Sequence, residues 1–508
     1  MGRARSRGRR AAARNAVEQL PFGQVPNPYA PMRVLSDDQV EALHHASLRV
    51  LRDNGMEFQL PRAVDILRKA GADVGEDGKR VRFDPAFVEE KIKTVPSRFT
   101  LHGRSAHRDL EFGGNHAIWG SVGSAPNVSD RERGRVTGNF EDYKNLIRLC
   151  HALNAVHALA GYPVEPIDLE VRTRHLHAVS ASVTLTDKPV FGYAIGAERM
   201  ADAIEIVRVA RGISYEDLLS QPSIQTVVNS NSPLIYDGGL LEGAIVMAEL
   251  NQPVVYTPFT LSGAMAPINV AGALVLQNAE ALAGLVFSQC VNPGAPAVYG
   301  SFTSNVDMKS GSPAFGTPEY AKATIASGQL ARRYGIPWRS SNATASNAAD
   351  AQAAYESQMS IWPVVLAQAN YIIHGFGWLE GGLCASYEKF ILDAEMAQMM
   401  QAFLTPLDTA EEELGLDAIA EVGPGGHFFG CDHTMARYET AFYRPLLSDW
   451  RNFENWRDGG AVEASDRATR IWKQLLADYE APPLDPAIAE ELDEFVARRV
   501  AEGGVPER

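Results

Sequence analysis

The chain has 508 residues, of which 45% are hydrophobic and 21% are charged, which is an ordinary globular composition. Its length suffices for one large domain with additions or for two or three domains. Its formal net charge of -15 at pH 7 argues against a nucleic-acid-binding protein, because contacts to phosphates need a basic face. The four cysteines are scattered without a CxxC pair, which is typical of reduced thiols in a cytoplasmic protein. No apolar run approaches the roughly 18 residues that a membrane span requires.

The N-terminus begins with an arginine- and alanine-rich stretch, MGRARSRGRRAAARNA, which has no apolar segment and is therefore not a secretory signal. We predict that residues 1–30 form a disordered, solvated tail. From Ser36, which fits a helix capping box with Gln39, helical segments alternate with short strands. This pattern predicts a small α/β cap over residues 31–110.

Residues 111–404 alternate short apolar strands with helical segments eight times. The strands are predicted at residues 117–121, 156–161, 190–195, 224–229, 254–257, 297–301, 338–341 and 371–374. The helices are predicted at residues 140–153, 168–186, 198–211, 238–251, 269–291, 317–334, 350–369 and 385–404. Eight such units in succession favour the α/β class and a closed (β/α)8 TIM barrel over an open sheet. No GxGxxG motif follows the first strand, which argues against dinucleotide binding.

Residues 405–508 are predicted to form a mostly helical extension packed on the barrel. This extension contains His427, Cys431 and His433 within seven residues, and these are residue types that bind soft metals. Their spacing matches no standard zinc pattern. We therefore predict no metal site and keep these three residues as an alternative ligand set.

In a TIM barrel the functional site forms at the C-terminal ends of the strands. Those positions are rich in aromatic, hydroxyl and amide side chains, without the paired acids of a glycosidase or the acidic cluster of a hard-metal site. Aromatic faces can hold a quaternary ammonium group, with each ring contributing roughly 0.5–2 kcal/mol. The predicted substrate-binding residues are Trp119, Tyr193, Asn229, Tyr256, Phe302, Arg339, Asn342, Phe376 and Trp378.

Two further residues at the end of the eighth strand are predicted to be catalytic. His374 can act as a general acid or base or bind a carboxylate, and Glu380 can meet a cation. For each there is a structural alternative: a hydrogen-bonded core histidine and a solvated loop charge. The strand-end rings can likewise be core residues, and Arg339 can pair with a substrate carboxylate or with a neighbouring acid.

Four segments carry a resemblance to a known family. They are GSFTSNVDMKSGSPAFGTPE (300–319), SNAADAQAAYESQ (346–358), WLEGGLCASYEKFILDAEM (378–396) and GPGGHFFGCDHTMARYETAFYRPLLSDWRNFENW (423–456). In these segments the chain resembles the trimethylamine methyltransferase family of corrinoid-dependent methyltransferases. The similarity extends over about residues 30–500.

The resemblance implies a barrel that moves a methyl group from a methylated amine to the Co(I) of a corrinoid (cobalamin) carried by a small partner protein. It implies no tightly bound cofactor and leaves homo-oligomer formation open. The chain lacks the pyrrolysine of the trimethylamine enzymes, so it resembles the branch that includes glycine betaine methyltransferases. Two alternatives stay open: a zinc-assisted methyltransferase for another methyl donor, and a non-catalytic binding protein for quaternary amines.

Overall fold

The computed structural model describes residues 17–506, and within them eight parallel strands form a closed barrel. Seven strands hydrogen-bond in one sheet and have the bounds Ile118–Trp119, Val190–Phe191, Ile224–Val228, Val254–Tyr256, Ala297–Gly300, Trp338–Ser341 and Tyr371–Ile373. The second strand, residues 157–160, closes the ring between the first and the third. The His157 N–H donates to the Trp119 carbonyl at 2.8 Å, and the Leu159 N–H donates to the Pro189 carbonyl at 3.0 Å. The predicted (β/α)8 barrel is confirmed.

The barrel helices surround the strands, with the bounds Phe140–Ala152, Arg174–Leu185, Ala197–Arg211, Gly238–Glu249, Val270–Val291, Pro318–Tyr334, Ala351–Leu366 and Tyr387–Phe403. Polar side chains define several of their starts: Asp237, Asn269 and Asp350 each accept a hydrogen bond from a first-turn N–H. Gly212 and Gly335 end two helices in the left-handed conformation that glycine allows. The second helix begins later than predicted, because residues 168–173 form turns.

The expectation that no apolar run approaches the length of a membrane span needs a correction. The helix Val270–Val291 is the one helix within residues 17–506 that is long and apolar enough to cross a membrane, by length and composition only. However, 78% of its most apolar window is buried inside the protein. It packs against the barrel strands on one side and the cap helix Asp37–Asp53 on the other. Its composition therefore suits a core helix of the barrel.

The cap is an α/β layer joined to the barrel by backbone pairing. It contains the helices and strands Asp37–Asp53, Met56–Phe58, Pro61–Ala70, Asp73–Val74, Arg80–Arg82 and Pro85–Ile92. The strand Ile235–Tyr236, which follows the fourth barrel strand, pairs in parallel with Met56–Phe58. The hairpin Phe99–Leu101 and Leu110–Phe112 packs into the N-terminal end of the barrel, where Phe112 contacts Tyr371 edge-on at 5.4 Å.

The predicted disordered tail needs a correction. Its residues 1–16 lie outside the described residues, but residues 17–30 follow the surface of the barrel in a defined path. The Asn27 N–H donates to the Asn115 carbonyl at 2.9 Å, and the Arg108 guanidinium lies 4.3 Å from the centroid of the Phe22 ring. Burial of the apolar side chains in LPFGQV offsets the entropy lost when this segment is ordered.

Two small sheets build the rim at the C-terminal ends of the barrel strands, which we call the mouth. The first consists of Thr260–Ser262, Thr303–Val306 and Pro313–Ala314, and extends from the fifth and sixth barrel strands. The second consists of Asn127–Asp130, Gly134–Thr137, Trp378–Leu379 and Cys384–Ser386, and joins the loops of the first and eighth strands. These sheets hold the strand-end residues in place.

The C-terminal extension divides into two parts. The helices Ala464–Ala477 and Pro486–Ala501 pack on the barrel, and Glu388 accepts hydrogen bonds from Thr469 and from the Trp472 indole. In contrast, residues 405–442 hold two buried residues, Ala418 and Cys431. The prediction that the whole extension packs on the barrel is therefore wrong for residues 405–442. The reason is that their apolar side chains point to solvent and not to the barrel.

Candidate functional site

Strand pairing decides which side chains point into the barrel. Residues opposite each other on neighbouring strands share a face. The Tyr371 side chain belongs to the cluster of apolar residues inside the barrel. On the neighbouring strand Arg339 is paired with Tyr371, and on the next strand Gly300 is paired with Arg339. Thr257 follows the interior residue Val255 by two positions and points the same way. Thr257, Gly300 and Arg339 therefore share the barrel interior just below the mouth.

Arg339 is a buried cation without a carboxylate partner among the described residues. It is 2% exposed, and its Nη1 donates to the Ser301 carbonyl at 3.0 Å. Its Nε has no acceptor, and no carboxylate within residues 17–506 forms an ion pair with it. Burial lowers the pKa of Arg339 to about 9, so the guanidinium is still charged at pH 7. An uncompensated charge at this depth indicates a place for an anionic ligand group.

A cluster of rings covers this guanidinium. The Phe302 ring lies 5.3 Å from the Arg339 guanidinium carbon and stacks on Phe259 at 5.2 Å and on Phe315 at 5.3 Å. Trp378 and His374 each lie 6.2 Å from Phe302 between ring centroids. We call these five rings, Phe259, Phe302, Phe315, His374 and Trp378, the ring cluster. It brings together three predicted residues and two, Phe259 and Phe315, that the predicted set does not contain.

His374 is neutral within the ring cluster. Burial and the nearby charge of Arg339 hold its pKa well below the ordinary value. Its backbone adopts a φ of 56°, uncommon for a residue with a side chain, and its N–H donates to the Ser121 carbonyl at 3.1 Å. This conformation places the imidazole 3.9 Å from the Trp378 ring. A neutral imidazole can donate one hydrogen bond to a ligand without adding charge.

Four buried polar atoms at this point of the mouth lack hydrogen-bond partners among the described residues: Arg339 Nε, His374 Nδ1, Trp378 Nε1 and Thr257 Oγ1. A Cβ on Gly300 would lie 2.1 Å from Thr257 Oγ1 and 2.4 Å from the Tyr256 carbonyl oxygen, so glycine lets the fifth and sixth strands approach closely beside Arg339. Each unsatisfied buried group costs about 1–3 kcal/mol. All four can donate, and a carboxylate only accepts, so the unpaired groups here have the hydrogen-bonding character that complements an anion.

A second, more open group of side chains lies across the barrel, at the third strand. The Tyr193 ring is 4.4 Å from the Tyr162 ring, and the Tyr193 hydroxyl donates to Glu165 at 2.8 Å. These residues line a cavity of about 400 Å³, in which burial raises the pKa of Glu165. Asn229 is exposed at the rim of the fourth strand. Tyr193 and Asn229 therefore face the mouth, opposite the ring cluster.

Four of the predicted substrate-binding residues point away from the mouth, so the expectation that they face a substrate there needs a correction. Trp119, Tyr256 and Phe376 are 1% exposed or less and pack between the strands and the helices. Asn342 donates to the Gly375 carbonyl and to Asp393 Oδ1, both at 3.2 Å. Consecutive side chains alternate between the two faces of a strand, and in a barrel both faces are buried. These four residues are therefore packing or support residues.

The sequence profile of the trimethylamine methyltransferase (MTTB) family matches residues 1–504. The chain belongs to this family. It is 37% identical to a glycine betaine methyltransferase of Desulfitobacterium hafniense strain Y51, over 93% of this chain and 98% of that protein. It is 31% identical to the trimethylamine methyltransferase MttB of the same species, strain DSM 10664 / DCB-2, over 92% and 94% of the two chains. These matches establish this chain as a methyltransferase.

Solved structures support the fold of this family member. The crystal structure of the hydroxylamine MtmB complex matches with a TM-score of 0.53, over 92% of this chain and 89% of that one. The two sequences are 11% identical, so the likeness concerns the fold alone.

The alternative metal ligands of this methyltransferase do not come together. His427 is exposed, whereas Cys431 is buried with its sulfur 3.4 Å from the Thr434 hydroxyl. No group of three potential ligands is gathered within residues 17–506 in a way that could hold a metal ion. The structure thus gives no support to a zinc site built on His427, Cys431 and His433.

Glu380 lies outside the ring cluster. Both of its carboxylate oxygens accept from Arg135 Nε, at 3.0 and 2.9 Å, on the rim strand Gly134–Thr137. Its side chain is 14% exposed and that of Arg135 is 50% exposed, so water screens the pair. Glu380 therefore connects two rim segments.

Replacing Glu380 by glutamine should leave kcat/KM for the methyl donor within about threefold and lower the free energy of unfolding by at most about 1 kcal/mol. A half-exposed ion pair contributes little, and the amide oxygen of the substituted side chain still accepts a hydrogen bond. Steady-state kinetics and thermal unfolding measure both effects. A loss of activity beyond about 100-fold with intact stability would return Glu380 to the catalytic set.

Proposed function

We propose that this methyltransferase takes a methyl group from a quaternary ammonium compound with a carboxylate, such as glycine betaine, and transfers it to the Co(I) of a corrinoid protein. The observation that carries the proposal is Arg339, a buried guanidinium under the ring cluster that has no acid partner within the described residues. The similarity to a glycine betaine methyltransferase supports the same substrate class. We also propose that the enzyme works in the cytoplasm.

The substrate's two ends match the two kinds of surface at this site. Its carboxylate would accept hydrogen bonds from Arg339 and from the unpaired donors of Thr257, His374 and Trp378. Its cationic end, which has no N–H to donate, would lie against the faces of Phe302 and its stacked neighbours. A neutral His374 suits this arrangement, because a protonated imidazole would repel the ammonium group.

The reaction needs placement more than proton transfer. A quaternary ammonium leaves as a neutral tertiary amine, so no acid has to protonate it. The corrinoid, carried by a partner protein, supplies the nucleophile for the methyl group. The residues of this chain hold the substrate so that one methyl group faces the mouth, which contributes through orientation. The partial exposure of His374 and Phe259 supports an opening of the ring cluster toward that side.

The proposal is tested with purified enzyme, Co(I) cobalamin and a panel of glycine betaine, proline betaine, carnitine, choline and trimethylamine. We expect methylcobalamin to form, with kcat/KM at least about tenfold higher for a carboxylated quaternary amine than for choline. Binding of a betaine without methyl transfer to cobalamin or to a corrinoid protein would instead identify a non-catalytic binding protein. A higher kcat/KM for choline than for the carboxylated amines would show that Arg339 does not bind a substrate carboxylate.

Replacing Trp378 by alanine should weaken binding of glycine betaine by about 10-fold or more, while binding of its neutral tert-butyl isostere weakens much less. The indole supplies both an aromatic face and an unpaired donor to the site. Isothermal titration calorimetry with both ligands measures the difference. Phe390, a buried ring that packs on Phe376 behind the strand, offers a control, since its replacement by leucine should affect both ligands equally. Equal losses with Trp378→Ala would mean that the indole is a packing residue.

A further inference from the structure

The cavity of about 400 Å³ at the ends of the second and third strands has side chains of a different kind from those of the ring cluster. We call it the tyrosine cavity, after the rings of Tyr162 and Tyr193 that line it, whose centroids lie 4.4 Å apart. Its volume is within the range of small-molecule sites. The placement of the substrate at the ring cluster uses none of these side chains, so the tyrosine cavity is open to a second ligand.

A partly buried carboxylate gives the tyrosine cavity a hydrogen-bond acceptor. The Tyr193 hydroxyl donates to Glu165 Oε1 at 2.8 Å, and no group within residues 17–506 donates to Glu165 Oε2. Burial raises the pKa of Glu165, against the smaller opposing effects of Tyr193 and Arg174. A cation in contact with this carboxylate would offset the cost of its burial. The tyrosine rings beside it can contact the same cation through their faces.

Two guanidinium groups line the same cavity. Arg174 Nη2 donates to the Leu169 carbonyl at 2.9 Å, and Arg199 Nη1 donates to the Ile195 carbonyl at 3.4 Å. Burial raises the pKa of Tyr162, and the charges of both arginines oppose that rise, which places both of them near its hydroxyl. Arg174 Nε is buried without an acceptor in the described part of the chain. A cavity with one carboxylate and two guanidinium groups complements a small zwitterion.

The tyrosine cavity and the ring cluster therefore differ in the ammonium group that each one suits. The unpaired groups of the ring cluster can donate hydrogen bonds, whereas Glu165 can only accept them when ionised. A quaternary nitrogen has no hydrogen to donate, so a carboxylate beside it would lose water without gaining a hydrogen bond. A protonated tertiary amine has one N–H, which would pair with Glu165 Oε2. The tyrosine cavity thus favours a tertiary over a quaternary ammonium group.

Methyl transfer from a quaternary ammonium compound changes the nitrogen in this way. The C–N bond breaks, its electron pair stays on the nitrogen, and the methyl group passes to the acceptor. The released amine then takes a proton from water, because the pKa of an alkylammonium group is near that of lysine, about 10.4. At neutral pH the product of a betaine is therefore a zwitterion with one N–H. It then has no lone pair with which to take the methyl group back.

We propose that the tyrosine cavity binds the demethylated product, a protonated tertiary amine with a carboxylate, and that Glu165 accepts its N–H. The inference rests on the proposed function, which supplies the quaternary substrate. Arg174 and Arg199 would hold the carboxylate of the product. The product leaves the ring cluster, where no carboxylate accepts its N–H, and is held on the opposite side of the mouth. Binding the protonated form there opposes the return of the methyl group to the amine.

Isothermal titration calorimetry with N,N-dimethylglycine and glycine betaine tests the proposal on the full chain. We expect Glu165→Gln to weaken binding of dimethylglycine by about tenfold or more and to change binding of betaine by less than about threefold. Arg339→Gln should weaken binding of betaine and leave binding of dimethylglycine within about threefold. The control Glu198→Gln removes an exposed carboxylate next to Arg199 but outside the cavity, and should leave both affinities unchanged.

Thermal unfolding establishes that each variant is folded. Arg199→Gln is the second variant of the cavity, and because Arg199 is partly exposed it should fold and weaken binding of dimethylglycine by about fivefold. The inference alone is overturned if the wild type transfers a methyl group from betaine but does not bind dimethylglycine. It is also overturned if the cavity variants bind dimethylglycine normally, or if Glu165→Gln weakens both ligands equally. Absence of methyl transfer from every carboxylated quaternary amine would instead overturn the proposed function.

Discussion

Replacing Arg339 by glutamine is expected to lower kcat/KM for glycine betaine by about 100- to 1000-fold, because truncating one partner of a buried charge pair costs about 2–5 kcal/mol. Glutamine is shorter than arginine, so it loses both the hydrogen bond from Nη1 to the Ser301 carbonyl and the charge that would face the carboxylate of the proposed substrate. Methylcobalamin formation with Co(I) cobalamin measures the effect. For choline, which has no carboxylate, kcat/KM should fall much less in the same variant.

The matched control for this variant is Arg332→Gln. Arg332 also donates to a backbone carbonyl, that of Ala367, without an acid partner in the described part of the chain, and burial likewise lowers its pKa. It lies on the sixth barrel helix, outside the mouth, so its loss should leave kcat/KM unchanged. Arg339→Gln should keep or raise the melting temperature, because it removes an uncompensated buried charge. Equal losses for betaine and choline, together with a lower melting temperature, would show that Arg339 has a structural role alone.

Replacing Asp393 by alanine is expected to lower the free energy of unfolding by about 3–5 kcal/mol, because it leaves the Lys389 ammonium buried without its counter-charge. Both side chains are 0% exposed and form an ion pair on one helical face. Asp393 also accepts the Gly377 N–H at 2.8 Å and contacts Asn342 and Ser357. Burial raises the pKa of Asp393 and lowers that of Lys389. The pair therefore holds the loop between His374 and Trp378.

Urea unfolding followed by circular dichroism measures this loss, and the double variant Lys389→Met with Asp393→Leu is its control. Removing both charges should restore much of the stability, since a buried pair can often be exchanged for apolar residues of similar volume. The single variant should also reduce methyl transfer, because the ring cluster depends on the same loop. A cost below about 1 kcal/mol for Asp393→Ala would mean that water or another group reaches Lys389.

The eight βα units could be predicted from the sequence because the information for them is local. Short apolar runs such as VVYT and YIIH end at polar, glycine-rich loops, and the helices that follow have apolar faces of the right period. The half-buried segment LPFGQV near the N-terminus was a weaker signal, since few residues separate it from the arginine-rich stretch. The structure orders this part of the chain through the contact of Phe22 with Arg108 and of Asn27 with Asn115, which are far away in sequence.

The candidate site shows the limit of local information. Both faces of a barrel strand are buried, so no hydrophobic pattern tells whether Tyr256 or Thr257 faces the interior. The sequence predicted a site at the strand ends, and Phe302, Arg339, His374 and Trp378 lie close together there. Glu380 was expected at the site, but its partner Arg135 is 245 residues away. Phe315 comes after the hairpin that follows the sixth strand. The sequence would have indicated Phe315 only if that hairpin had been predicted to fold back over the mouth.

By itself, the sequence determined the order of the strands and helices, the barrel and the family, because these depend on periodicity and on contiguous motifs. Only the tertiary structure decided which strand-end side chains face the mouth. It decided that Arg339 lacks an acid partner within residues 17–506, whereas Lys389 forms an ion pair with Asp393. It also decided that residues 405–442 leave the barrel surface and keep their apolar side chains exposed. Each of these depends on strand pairing or on contacts between distant segments, which a local pattern does not encode.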